Sequence, residues 1–200
     1  MSKEHWDNSF SDTDFVYGET PNIFIKNKSE LIPNHSTVAC LAEGEGRNAV
    51  YLAQQGHKVT TYDQSVVGLE KTKTLAMKHD VTIQTVEIDL TDKKVEENMY
   101  DAAIMVFGHV HQNHQAFLME SLIDSVKPGG YVIFEVYSTD QLEYGTGGPP
   151  VKEMLYDPKD ILEWIQNDKC LHFYYGEAER TEGKRHKGTG HVIQVILQKV

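Results

Sequence analysis

Cysteine is nearly missing from this 200-residue chain, which has only Cys40 and Cys170. Both sit inside apolar stretches without a partner pattern, which excludes a disulfide framework or zinc knuckle and fits a reducing compartment. Also lacking is any apolar run long enough to span a bilayer, and Met1 to Phe10 is polar and acidic with no hydrophobic leader segment. A cytoplasmic protein without a membrane partner is therefore expected. Positive charge is scarce too: 19 Lys and Arg face 30 Asp and Glu, for a formal net charge of -11. The bases are scattered apart from Lys184 to Lys187, so a nucleic-acid partner is disfavoured, whereas a small neutral or cationic ligand meets no long-range repulsion. Neither an internal repeat nor a low-complexity tract interrupts the chain.

What is there suffices for one substantial core, since 40% of residues are hydrophobic and a chain of this size removes most of its unfolded surface from water. One domain over residues 1–200 is expected. After a polar leader carrying Trp6, Phe10, Phe15 and Tyr17, short apolar runs alternate with amphipathic stretches, the pattern of an α/β protein. Strands are predicted at Thr37 to Ala42, His57 to Tyr62, Val81 to Ile88, Tyr100 to Phe107 and Tyr131 to Tyr137. Helices are predicted at Arg47 to Gln55, Ser65 to His79 and His111 to Val126. Lys127 to Gly130 reads as a stop signal and Gly145 to Pro150 as a loop, and Asp157 with Pro158 opens a further helix. Two last strands, Leu171 to Glu179 and His191 to Lys199, form an antiparallel hairpin across the polar stretch Arg180 to Gly190.

The segment Glu43-Gly-Glu-Gly-Arg-Asn48 puts two glycines between the first strand and the first helix. Glycine there permits a sharp turn and close approach of a ligand, and free amides at the helix start favour an electronegative group. Asp63, closing the second strand, stands where a carboxylate accepts ribose hydroxyls in dinucleotide folds. Gly44-x-Gly46-x-x-Ala49 also satisfies a nicotinamide fingerprint, and a plain strand-to-helix turn would look the same. Against a nicotinamide enzyme stands the terminal hairpin, which leaves no further chain for a substrate domain.

The chain resembles the class I S-adenosylmethionine-dependent methyltransferases, nearest the tellurite-resistance type. The likeness rests on Tyr17-Gly-Glu-Thr-Pro-Asn22, Ala42-Glu-Gly-Glu-Gly-Arg-Asn-Ala49, Tyr62-Asp-Gln-Ser65, Asp89-Leu90, Phe107-Gly-His109, Lys127-Pro-Gly-Gly130 and Tyr144-Gly-Thr-Gly-Gly-Pro149. It implies a Rossmann-like, mainly parallel seven-stranded sheet with an antiparallel C-terminal strand and helices on both faces. Residues 1–30 would cover substrate and cofactor. It also implies S-adenosyl-L-methionine as cofactor, with Gly44 and Gly46 flanking the methionine moiety, Arg47 and Asn48 at the same turn, Asp63 on ribose, Gln64 against adenine, Asp89 and Leu90 at the adenine amine and Phe107 beside them. The superfamily's usual acid and glycine are replaced here by Cys40 and Ala42, so Glu43 would take over the hold on the methionine ammonium. Asp89 has an ordinary alternative as a surface turn residue before Thr91 and Asp92.

His109, His111 and His114 spell H-x-H-x-x-H after an apolar strand, the spacing of zinc hydrolases, but Asn113 replaces the aspartate of that pattern and no metal is expected. His111 and His114 read better as solvated residues of a helix start. His109 either orients or deprotonates an acceptor or only caps a helix or holds a loop. Tyr17, next to rigid turn chemistry at Gly18 and Pro21, is the second catalytic candidate. The reading is methyl transfer to a small-molecule acceptor such as a thiol or chalcogen oxyanion. Its rivals are a noncatalytic cofactor-binding module and the zinc hydrolase. No motif specifies the acceptor or an oligomeric state.

Overall fold

The computed structural model describes residues 2–183 and 186–200. Helices α1 (Lys3–Ser9) and α2 (Ile23–Lys28) precede β1 (Thr37–Leu41), α3 (Arg47–Gln54), β2 (Lys58–Asp63), α4 (Val66–Lys78) and β3 (Ile83–Glu87). There follow β4 (Tyr100–Val106), α5 (Gln112–Asp124), β5 (Val126–Tyr137), α6 (Pro158–Trp164), β6 (Lys169–Glu182) and β7 (His186–Gln198). The strands form one seven-stranded sheet in the order β3-β2-β1-β4-β5-β7-β6. Only β7 runs against its neighbours, β5 on one side and β6 on the other. The predicted Rossmann-like sheet with its antiparallel last strand is thus observed.

The apolar runs explain why these segments pair centrally. Val38 to Leu41 are fully buried because helices cover both sheet faces. On one face Leu41, Met105 and Phe134 pack with Leu118, Leu122 and Ile161 of α5 and α6. On the other, Val38, Ile104 and Ile133 pack with Phe24, Ile25 and Leu52 of α2 and α3. Each such side chain contributes roughly 1.5–3 kcal/mol on leaving water. The strand order reverses between β1 and β4, opening a crevice at the carboxyl ends. The register places those ends level: Leu41 pairs with Tyr62 and with Met105, and Asp63 with Glu87.

Four expectations are corrected. The polar leader is partly helical, because Ser2 caps α1 and Asn22 caps α2 by accepting the Ile25 amide at 3.1 Å. Lys127 to Gly130 does not end an element. It forms an excursion within β5, where Tyr100 pairs with Val126 and Ala102 already with Tyr131. The hairpin arms are longer than predicted, with Arg180 opposite Gly188 inside the ladder. Their polar residues are paired and buried: Arg180 holds Glu135 at 2.6 Å, and Glu182 holds Arg47 at 2.6 Å. Cys170 is exposed, since it lies on the edge strand, whereas Cys40 is buried. Of the basic cluster, Lys184 and Arg185 lie outside the described residues. Among the described residues no helix is long and apolar enough to cross a membrane.

Candidate active site

The turn after β1 is tight: Ala42, Gly44 and Gly46 adopt φ of 51°, 61° and 87°. At Gly44 a Cβ would stand 2.9 Å from the Phe10 ring, and at Gly46 it would meet Thr72 at 2.6 Å, so both glycines are required by close packing as well as by backbone sign. Three of the amides expected to be free are taken. Asn48 and Ala49 donate their amides to Glu43 Oε1 at 2.8 and 2.9 Å, and Gly44 donates to Asp63 Oδ2 at 2.8 Å. The positive end of α3 is therefore spent on an internal carboxylate, which leaves the turn suited to a cationic or hydroxylated ligand rather than to a phosphate.

Asp63 also accepts the Ser65 amide at 2.8 Å. Burial outweighs these bonds and pushes its carboxyl up to about 6. Burial raises Glu43 as well, against the amides of Ala49 and Asn48. Asp89 is exposed, and the Thr91 hydroxyl and amide, both donating to its Oδ1, hold it below the usual carboxylate range. Leu90 beside it is buried. Arg47 turns away to Glu182 and to the Thr20 carbonyl at 3.4 Å, and Asn48 accepts the Asn22 amide at 2.9 Å. These two candidates thus tie the turn to the N-terminal segment. Glu45, which sequence reasoning passed over, does the same: its carboxylate accepts the Val16 and Tyr17 amides and pairs with Lys71 at 2.7 Å.

Past β4 the chain turns through Phe107 at φ 54°. Its ring stacks on Tyr137 at 4.4 Å and lies under the Arg180 guanidinium. His109 is buried, and both ring nitrogens meet backbone: Nδ1 donates to the Met154 carbonyl at 2.7 Å and Nε2 accepts the Tyr137 amide at 3.2 Å. Burial lowers its pKa to about 4, so the ring is neutral at physiological pH. His111 caps α5 and is exposed, as is His114. Among the described residues no group of three His, Cys, Asp or Glu is arranged to hold a metal.

One cavity of about 820 Å³ joins the two halves. Glu43, Gly44, Arg47, Asn48, Asp63, Gln64, Asp89 and Leu90 line one end, Phe107, His109, Tyr137 and the loop at 145–150 the other, and Tyr17 the rim with Trp6 and Phe10. Gly46 is not part of that lining and acts through the turn. The volume suits a small molecule. Its carboxylates match an ammonium and ribose hydroxyls, and its aromatic faces match a sulfonium and a purine, so the donor set fits S-adenosylmethionine. Sequence reading missed Glu45, Tyr137 and the buried Arg180–Glu135 pair, because the partners that give them a role, Val16, Phe107 and each other, lie far apart along the chain.

Residues 38–130 match the family model described as a methyltransferase domain. Over 141 residues the chain is 30% identical to a Haemophilus influenzae (strain 10810) protein described as "Probable S-adenosyl-L-methionine-dependent methyltransferase TehB", covering 64% of this chain and 48% of that protein. The chain thus spans about half the length of the curated relatives it matches. The crystal structure of TehB from Haemophilus influenzae superposes with a TM-score of 0.74 at 17% identity, over 99% of this chain and 67% of that one. A TehB-like methyltransferase from Corynebacterium glutamicum gives 0.62 at 16%, over 98% and 95%. The domain model matches a little under half of the chain, and the superpositions, at 16% and 17% identity, show that the chain shares the fold of these methyltransferases.

Proposed function

We propose that the chain transfers the methyl group of S-adenosylmethionine to a small acceptor that arrives as an anion, such as a thiolate or a chalcogen oxyanion. The observation that carries this is the division of one cavity into an acid-lined end at the ends of β1, β2 and β3 and an aromatic end beyond β4. When bound, the cofactor supplies an activated methyl group on a sulfonium. Asp63 would hold the ribose hydroxyls, Glu43 the methionine ammonium directly or through water, Gln64 the adenine face, and Asp89 with Leu90 the adenine amine. Phe107 and Tyr137 would exclude water where donor and acceptor meet, and Tyr17 would close the rim. Alignment of this kind contributes up to about 7–11 kcal/mol in well-oriented systems.

His109 separates an anionic acceptor from a protonated one. Its two backbone bonds leave no ring nitrogen to take a proton, so it serves best by holding the Met154 and Tyr137 segments around the acceptor. An acceptor already deprotonated needs no base. The test is calorimetry with S-adenosylmethionine followed by mass spectrometry of a thiol, selenite and tellurite panel. Methylated product is expected. Binding without methylation of any acceptor would support the rival reading of a noncatalytic cofactor-binding module, and absence of binding would overturn both.

A further inference from the structure

Helix α1 is anomalous in its packing. Seven residues long, it buries none of them, yet it lies across the carboxyl ends of the first three strands. Lys3 pairs with Glu87 at the end of β3, Asp7 accepts the Ser65 hydroxyl at 2.6 Å and the Val67 amide at 3.3 Å at the start of α4, and Phe10 is pressed on Gly44. An apolar helix face normally docks on core. Here the half-buried Trp6 instead faces the cavity, stacked on Phe10 at 5.5 Å with the rings 19° from parallel, on the side that holds Asp63, Gln64 and Asp89. A wide aromatic surface over an acid-lined nucleoside site is completed by a flat heteroaromatic ligand, because stacking buries both faces without demanding directional bonds.

We infer that Trp6 is a cofactor-contacting residue that covers the adenosyl half of the cavity, and that Asp7 is the positioning residue that latches α1 in place. This rests on the proposed cofactor reading and adds to it the residues that set how long the cofactor stays. The latch is bonded to Ser65, whose own amide bonds Asp63, so α1 is tied to the ribose acid through a single residue. Opening α1 breaks the Asp7 bonds and the exposed Lys3–Glu87 pair, which is worth little in water, while the strand ends stay folded.

The test uses the full chain with Trp164→Phe, which leaves Trp6 as the sole tryptophan. Titration with S-adenosylhomocysteine should quench its emission with the dissociation constant that calorimetry gives. Trp6→Ala should weaken binding about tenfold and Trp6→Phe much less. In stopped flow, Asp7→Ala should speed S-adenosylhomocysteine dissociation at least fivefold, whereas Asp7→Asn, whose amide oxygen still accepts both bonds, should restore the slow rate. Calorimetric binding with unaltered Trp6 emission and an unaltered Trp6→Ala affinity would overturn the inference and leave the cofactor reading standing. No calorimetric binding at all would overturn both.

Discussion

At the residue scale, the acids of the site are held in tension between burial and function. Among the described residues no cation pairs with Asp63, and burial raises its pKa to about 6. Ribose hydroxyls and a nearby sulfonium favour the carboxylate, so cofactor binding should lower that value and release protons. Affinity is expected to fall as pH drops through about 6, and calorimetry from pH 5 to 8 in two buffers of different ionisation heat checks this. Asp63→Ala should weaken binding more than tenfold and flatten the profile; an unchanged affinity would refute the ribose assignment. His109 carries the opposite linkage. Its folded pKa of about 4 lies below the ordinary histidine value, so its contribution is present above roughly pH 6.5 and is lost as pH falls toward 4. The loss amounts to roughly 3 kcal/mol. Urea melts of wild type and His109→Gln at pH 7 and 4.5 should converge at the lower pH. Asp63 and His109 were both legible in the sequence as sites. Their protonation was not, since burial and the partners Gly44, Met154 and Tyr137 come from segments 19 to 45 residues away.

At the element scale, the long hairpin of β6 and β7 works as a clasp. Gly183 at its tip lies on the backbone of Tyr17 and Gly18, where a Cβ would have no room. Below it a buried cluster joins Arg180, Glu135, Glu182 and Arg47, with Asn22 donating to Glu135 at 2.8 Å and to Glu182 at 3.1 Å. Breaking such a cluster by removing one partner leaves an uncompensated charge. Arg180→Met is therefore expected to cost about 3–5 kcal/mol in a denaturant melt, and the double variant Arg180→Met with Glu135→Leu should recover part of it. If the single variant melted like wild type, the ion pair would not be holding the hairpin. Read as a string, Arg180 to Gly190 is a polar connector, and nothing local distinguishes it from one. Its strand identity depends on β5 and α3, which bring the opposite charges.

At the scale of the whole molecule, the net charge of -11 and the acid-lined cavity act in the same direction. A cationic cofactor is attracted and a polyanion repelled, so the chain should neither shift nor retard DNA or RNA at 150 mM salt, and retention on either would count against the small-acceptor reading. S-adenosylhomocysteine at a hundredfold excess over its dissociation constant should add about 2.7 kcal/mol of stability, seen as a rise of several degrees in the thermal midpoint. The sequence by itself determined the α/β alternation, the strand-turn-helix around Glu43 to Asn48, the acids at the strand ends and the antiparallel close of the sheet. These follow from local periodicity, turn chemistry and spacing, which a linear string carries. Only the tertiary structure decided that amides of the turn are taken by Glu43 and Asp63, that His109 is bonded at both nitrogens, that α1 borders the cavity and that Gly183 closes on Tyr17 and Gly18. Those outcomes depend on which distant groups share a low-dielectric space, and that is set by packing rather than by neighbours along the chain.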